Sequence, residues 1–198
     1  MDKLAYEKEL LAQGCKYICG VDEVGRGPLA GPVVCAAVIM PLDDIIEGVD
    51  DSKKLTAKKR EILSEKILEK AIACRICRVE PQIIDEINIL QATRLCMKNA
   101  VEGLEIAPDF VLTDGNMTLD ISIPQRSIIK GDALSYSIGA ASIVAKVYRD
   151  KIMVEYAKVY PQYGFESNVG YGSKKHIEAI KEFGLTPLHR RSFTKKWQ

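Results

Sequence analysis

The chain has no apolar run approaching the roughly 18–20 residues that a membrane-spanning helix needs. Its first residues, Met1 to Glu9, are mostly polar and contain no signal-peptide core. These absences favour a cytosolic protein. Histidine is scarce: His176 and His189 are the only two, both far from the acidic residues discussed below. There are no internal repeats, low-complexity tracts or long linkers. Charge of one sign is lacking too, since 28 Lys and Arg face 27 Asp and Glu for a net charge of +1. The molecule as a whole therefore has no strong field.

Six cysteines are present, yet none is placed as a ligand. Cys35 and Cys96 lie among apolar neighbours, where a thiol acts as a small hydrophobe. Cys74 and Cys77 have the gap of a zinc half-site, but residues 73–79 alternate like a strand. An odd offset then sends the two sulfurs to opposite faces, which excludes the tetrahedral site zinc requires.

What is present is an ordinary globular composition, 47% hydrophobic and 28% charged. At 198 residues it suffices for one well-buried core. Charge is unevenly placed. Residues 174–198 hold seven Lys and Arg against two Glu, and Lys53, Lys54, Lys58, Lys59 and Arg60 form a second basic cluster after the acidic stretch Asp43 to Asp51. Clusters of this kind suit a polyanion, although a solvated face explains any one of them equally well.

Periodicity and turn signals predict strands at 16–21, 33–40, 72–80, 110–113 and 121–129. Thr56 is a natural N-cap for a helix through Ala71, with Ile62, Leu63, Ile67, Leu68 and Ala71 on one stripe. Pro81 suits the first turn of a helix to Gly103, with Asp85 and Glu86 near its positive end. Further helices are expected from Asp132 to Tyr160, from Ser173 to Phe183, and around Pro187. The order implies an α/β domain with a mixed sheet flanked by helices and a helical C-terminal extension. We read the chain as a single catalytic domain, residues 1–198, with a core over roughly 16–160 and a helical region over 161–198.

Three acidic positions share one local pattern, in which an apolar strand ends and a carboxylate follows beside glycine. They are Asp22-Glu23 after Gly20-Val21, Asp114 before Gly115, and Asp132 after Gly131. Ligand sites in α/β sheets gather at strand ends. Four carboxylates converging there would repel one another without a cation, and all-oxygen ligation favours Mg²⁺ or Mn²⁺ over zinc. Read singly, each acid serves as well as a turn or cap residue. The glycine-rich run Gly25 to Pro32 follows the first acid pair at once, where Arg26 offers a planar fork of donors suited to phosphate; a tight turn between strands would want the same glycines. Asp132, Ser135, Gly139, Ser142 and Lys146 fall on one helical stripe that suits close core packing. Lys146 lies about 21 Å from Asp132 at helical rise, which leaves it a phosphate contact or a structural ion pair.

At this point the sequence resembles ribonuclease HII, the type 2 ribonuclease H family. The resemblance runs through residues 20–33, Asp51-Ser52-Lys53-Lys54-Leu55, Asp114-Gly115-Asn116, Lys130-Gly131-Asp132, residues 141–150, Gly170-Tyr171-Gly172 and His189-Arg190-Arg191-Ser192-Phe193, in family order over nearly the whole chain. It implies a ribonuclease H-like fold, cleavage of RNA paired with DNA, and incision 5′ of single ribonucleotides embedded in duplex DNA. By match to the motifs, Asp22, Glu23, Asp114 and Asp132 are the catalytic, metal-binding carboxylates. Gly25, Arg26 and Gly27 read the ribose 2′-hydroxyl, the group that distinguishes RNA from DNA, and Tyr171 stacks at the RNA–DNA junction. Ser52 and Lys53 are expected to contact phosphate. Two metal ions would activate the attacking water and steady the departing oxygen, with no protein general base because no histidine neighbours the acids. The role of Arg190, Arg191, Lys195 and Lys196 stays open, the arginines being equally suited to capping helices, and nothing demands more than a monomer. Two rivals remain: the ribonuclease HIII type, whose members carry a sizeable N-terminal extension where this chain has 21 residues before Asp22, and a non-catalytic hybrid-binding module, against which all four acids speak.

Overall fold

A computed structural model of the chain describes residues 2–50 and 52–197. Five strands form one mixed sheet: β1 Ile18–Val24, β2 Val33–Ile39, β3 Ala73–Val79, β4 Phe110–Asp114 and β5 Gln125–Ile128. Their spatial order is β3-β2-β1-β4-β5. The first three strands run antiparallel as a meander, while β4 and β5 join parallel to β1. β2 is buried along its whole length because both of its faces are covered.

Alternation on β2 separates two cores. Val33, Cys35, Ala37 and Ile39 pack with Ala92, Cys96, Met97 and Ala100 of helix α3 (Pro81–Glu102). Val34, Ala36 and Val38 pack against α2 (Ala57–Lys70) and α5 (Tyr136–Val159). Cys77 belongs to the first face and Cys74 to the second, as their odd spacing predicted. All six thiols are free. The closest approach is at Gly20 on β1, where an added Cβ would lie 2.1 Å from the carbonyl carbon of Ser137. Only a glycine lets α5 sit this near the strand that carries the first acid pair.

Several elements depart from expectation. The predicted helix from Asp132 to Tyr160 is two helices, a short α4 (Gly131–Leu134) and then α5. Ser135 between them is extended and caps α5, its Oγ accepting from the Ile138 amide at 3.3 Å. The break is held by an element absent from the expectation, α1 (Ala5–Ala12). Its fully buried Glu7 accepts at Oε1 from Ser135 Oγ (2.6 Å) and from the Ser137 amide (3.0 Å), placing a carboxylate at the positive end of α5. Helix α3 is interrupted at Asn88, whose φ of 67° breaks the helix while its Oδ1 accepts from the Leu90 and Gln91 amides.

The α2 stripe is narrower than its sequence suggests. Leu63 and Ile67 are buried, but Ile62 and Leu68 are exposed. The last strand is confined to Gln125–Ile128, shorter than the predicted 121–129. α6 (Phe165–Asn168), α7 (Lys174–Phe183) and α8 (Arg191–Thr194) make up the C-terminal region. The helix expected around Pro187 is a turn instead, stapled when Thr186 Oγ1 accepts from the Leu188 amide and the Thr186 amide donates to His189 Nδ1.

Candidate active site and nucleic-acid interface

The carboxyl ends of β1 and β4 lie side by side, with Val21 level with Thr113, so Asp22 and Asp114 leave neighbouring strands together. Strand alternation sends both toward the α5 face, along with Gly20 and Leu112. Asp22 is 5% exposed; its Oδ1 accepts from the Glu23 amide at 2.7 Å, and Ser142 of α5 also bonds its carboxylate. Asp114 Oδ1 accepts from the Gly131 amide at 2.6 Å, which ties the strand end to the turn carrying Asp132. Lys130, with φ at 60°, bends the chain there so that Asp132 opens α4. Glu23 leaves β1 on the other side from Asp22 and meets Arg26, Oε1 to Nη1 at 3.5 Å.

The electrostatics of this edge are unfavourable as they stand. Burial, then the charges of Glu23 and Asp114, push the Asp22 carboxyl well above its ordinary range, against the hydrogen bonds from Ser142 and the Glu23 amide. Burial pushes Glu23 upward as well, opposed by Arg26 and reinforced by Asp114. Among the described residues, no three acidic side chains close into one ligand shell. Cationic side chains stand beside two of them: Arg26 by Glu23, and Lys53 Nζ at 3.6 Å from Asp132 Oδ2. A divalent cation fits this donor set. It consists of carboxylates only, it is short of positive charge, and Glu23 Oε2 is buried without a hydrogen-bond partner.

The Gly25 to Pro32 loop is held from beneath by two buried arginines. Arg149 of α5 donates from Nε to Pro32 O (3.0 Å), from Nη1 to Val169 O (2.9 Å) and from Nη2 to Ala30 O (3.2 Å). Arg190 donates from Nε and Nη2 to Gly31 O (3.0 and 2.8 Å), from Nη1 to Arg26 O (2.8 Å) and from Nη2 to Gly25 O (2.6 Å). Both residues are fully buried. Burial opposes their charge, pulling Arg149 down to about 10 and Arg190 to about 9, which still leaves both cationic at neutral pH. With the carbonyls turned inward, the other side of the loop is left to a ligand. Gly25 has a φ of +92°, and a Cβ there would sit 2.2 Å from Arg149 Nε, so neither the conformation nor the space admits a side chain.

Tyr171 closes this surface. The Leu29 amide donates to Gly170 O at 2.8 Å, and a Cβ on Gly27 would lie 3.5 Å from Tyr171 Cε1. The ring is 47% exposed beside the loop. Thus Gly25, Arg26, Gly27 and Tyr171, separated by more than 140 residues in sequence, form one patch next to the acids.

Other expected residues fall elsewhere. Lys53 is 80% exposed at the acid edge, whereas Ser52 is buried with its hydroxyl bonded to that of Ser142 at 2.9 Å. Asp51, which opens that motif, lies outside the described residues. Lys146 pairs with Asp150 at 2.6 Å, the structural alternative left open for it. Arg190 grips the loop, and the first amides of α8, those of Arg191 and Ser192, donate to Asp85 of α3. Arg149 and Ser142 were not singled out for these roles. Ser142 sits on the small-residue stripe that the sequence did show, but nothing local marks Arg149 as buried. Lys196 lies 4.3 Å over the Trp197 ring.

Comparison with known proteins agrees with this geometry. The family model described as ribonuclease HII matches residues 19–196. A curated ribonuclease HII from Ligilactobacillus salivarius is 56% identical over 192 residues, 97% of this chain and 75% of its own. The solved ribonuclease H2 of Pyrococcus horikoshii superposes with a TM-score of 0.78 at 29% identity, covering 91% of this chain and 96% of that one. A ribonuclease HIII crystallised with Mn²⁺ shares the fold, with a TM-score of 0.71 at 20% identity, covering 91% and 68%. With the family model spanning nearly the whole chain and a relative this similar along most of its length, the chain belongs to the ribonuclease HII family.

Proposed function

We propose that Asp22, Glu23, Asp114 and Asp132 are the residues with which this metal-dependent endoribonuclease cuts the RNA strand of RNA–DNA hybrids. The same site incises 5′ of single ribonucleotides in duplex DNA, leaving 3′-hydroxyl and 5′-phosphate ends. The observation that carries the assignment is Asp22, buried at the joined ends of β1 and β4, with its charge opposed by burial and by the neighbouring carboxylates of Glu23 and Asp114. Bound Mg²⁺ or Mn²⁺ supplies the charge that activates water and stabilises the departing 3′-oxygen. The protein's part is to hold the ligands: Ser142 and the Glu23 amide orient Asp22, and the Gly131 amide orients Asp114. Arg26 and Lys53, beside Glu23 and Asp132, stand where they would meet the phosphate of a bound strand.

Gly25, Arg26 and Gly27 face the ribose, and the exposed Tyr171 ring stacks on the neighbouring sugar. Ser52, buried against Ser142, positions its loop and leaves phosphate contact to Lys53. The two histidines bond one another in the C-terminal region, so neither serves as a general base at the acids. Residues 161–198 belong to the same catalytic unit because they contribute Tyr171 and Arg190. No helix among the described residues is long and apolar enough to cross a membrane; with six free thiols, the protein suits the reducing cytosol, acting as a monomer. Incision of a duplex containing one ribonucleotide, measured with Mg²⁺, with Mn²⁺ and with EDTA, tests the reading. Cleavage at the ribonucleotide that stops in EDTA supports it, and cleavage that persists in EDTA overturns it.

A further inference from the structure

The two histidines have no part in the chemistry above, yet they are buried, at 0% and 3% exposure, and touch each other. His189 Nε2 lies 3.1 Å from His176 Nε2. Their outer nitrogens fix which protons are present. The Thr186 amide can only donate, so His189 Nδ1 accepts from it at 3.0 Å and the ring carries its proton on Nε2. That proton is donated to His176 Nε2, which leaves His176 its proton on Nδ1, 2.8 Å from the Tyr171 carbonyl. The pair is neutral, and every ring nitrogen has a partner.

We propose that His176 and His189 are positioning residues for recognition of a single ribonucleotide, a relay anchored on Thr186 that sets the Tyr171 main chain against the Gly25 to Gly27 loop. The inference rests on the reading of Tyr171 as the stacking residue. The segment is held at the front, where Gly170 O accepts from the Leu29 amide. It is held at the back through the Tyr171 carbonyl, which accepts from His176 and from the Ser173 amide. Tyr163 and Phe165 wall in the rings, with centroids 4.9 Å from His189 and 5.3 Å from His176, so neither imidazole can swing away. The polar groups that touch the two rings are each other, the Tyr171 and Thr186 backbones, and the Thr186 hydroxyl, 2.9 Å from His189 Nδ1. Burial, with His176 beside it, holds His189 down to about 4, and burial lowers His176 as well. A proton added to either ring would place two donors face to face.

Two variants separate the relay from simple packing. His176→Asn keeps a donor near the Nδ1 position, whereas His176→Phe fills the space with none. Single-turnover rates are measured on a duplex with one ribonucleotide and on a continuous hybrid. The Phe variant is expected to lose about tenfold on the single ribonucleotide, the worth of one positioning hydrogen bond, and less than about threefold on the hybrid. The Asn variant should stay within about threefold of wild type on both. Equal behaviour of Asn and Phe, or equal losses on both substrates, overturns the relay.

Tyr171→Ala, run beside them, keeps the two readings apart. If it shifts the substrate ratio and His176→Phe does not, the relay fails and the Tyr171 reading stands. If only His176→Phe shifts the ratio, the stacking role of Tyr171 is lost and the relay, which rests on it, falls with it. If neither does, both are wrong. Nitrogen NMR of the wild-type imidazoles covers the case in which a variant does not fold. A His176 Nδ1–H and a His189 Nε2–H that persist to about pH 5 support the relay, and an ordinary titration of either ring near its usual 6.5 overturns it.

Discussion

The acid edge and the loop beside it are built in opposite ways. At the edge, Glu23 and Asp114 oppose the charge of the buried Asp22, Arg26 and Lys53 stand beside Glu23 and Asp132, and among the described residues Glu23 Oε2 has no hydrogen-bond partner. In the loop, two buried cations spend their seven donor contacts on carbonyls. The first region is incomplete in charge and is finished by a cation. The second is complete in its hydrogen bonds and, on the proposed reading, is shaped for the ribose before substrate arrives. Recognition is therefore preorganised in the protein, while the chemistry is assembled on binding metal.

The sharpest way to break the comparison is at the edge. Asp114→Asn removes a metal-binding charge but keeps an oxygen for the Gly131 amide. Incision should fall by at least about a thousandfold while hybrid binding is largely kept; retained turnover at saturating Mg²⁺ would take Asp114 out of the site. Next comes the loop. Arg190→Gln leaves the carbonyls of Gly25, Arg26 and Gly31 short of donors, and should cost about 3–5 kcal/mol in chemical denaturation, with metal affinity unchanged in the folded fraction.

Smaller effects sharpen the boundary. Glu7→Ala removes the carboxylate from the start of α5 and should cost about 1–2 kcal/mol, a drop of roughly 2–8 °C in melting temperature. The effect should be on stability, since Glu7 bonds Ser135 and Ser137 rather than the acids. The smallest change is Lys53→Ala. Its contact with the buried Asp132 is long, at 3.6 Å, and its own side chain is 80% exposed, so stability should move by less than about 0.5 kcal/mol while KM for hybrid rises several-fold in steady-state assays.

Much of this was legible beforehand, and the reasons differ by region. Strand-end acids beside glycine and the Thr56 cap are local signals, so β4 and α2 stand where the sequence put them, whereas β1 runs on through Asp22 and Glu23 to Val24 because its pairing with β2 continues. The Ser135 break was not legible, because its cause is Glu7, 128 residues away. The same holds for Arg149 and Arg190. In sequence Arg149 is one charge in the middle of a long helix and Arg190 one in a basic tail, and only the fold places the carbonyls of residues 25–32 around them. Pro187 suggested a helix start, but Thr186 and His189 close a turn around it. The family motifs placed Tyr171 in the site, while the contacts that hold it come from both ends of the chain.

The central claim is that the acid edge costs stability until a cation completes it. Burial and neighbouring charge raise the Asp22 carboxyl, so the metal-free folded state binds a proton more tightly than the unfolded chain does. Stability is therefore lowered near pH 7 and recovers as pH falls. Thermal melts of the wild type and Asp22→Asn at pH 7, with EDTA and with millimolar Mn²⁺, test this most directly. In EDTA the variant should melt roughly 2–6 °C above the wild type. In Mn²⁺ the wild type alone should rise appreciably, closing or reversing that gap. A wild type that melts above the variant in EDTA and does not respond to Mn²⁺ would contradict the account.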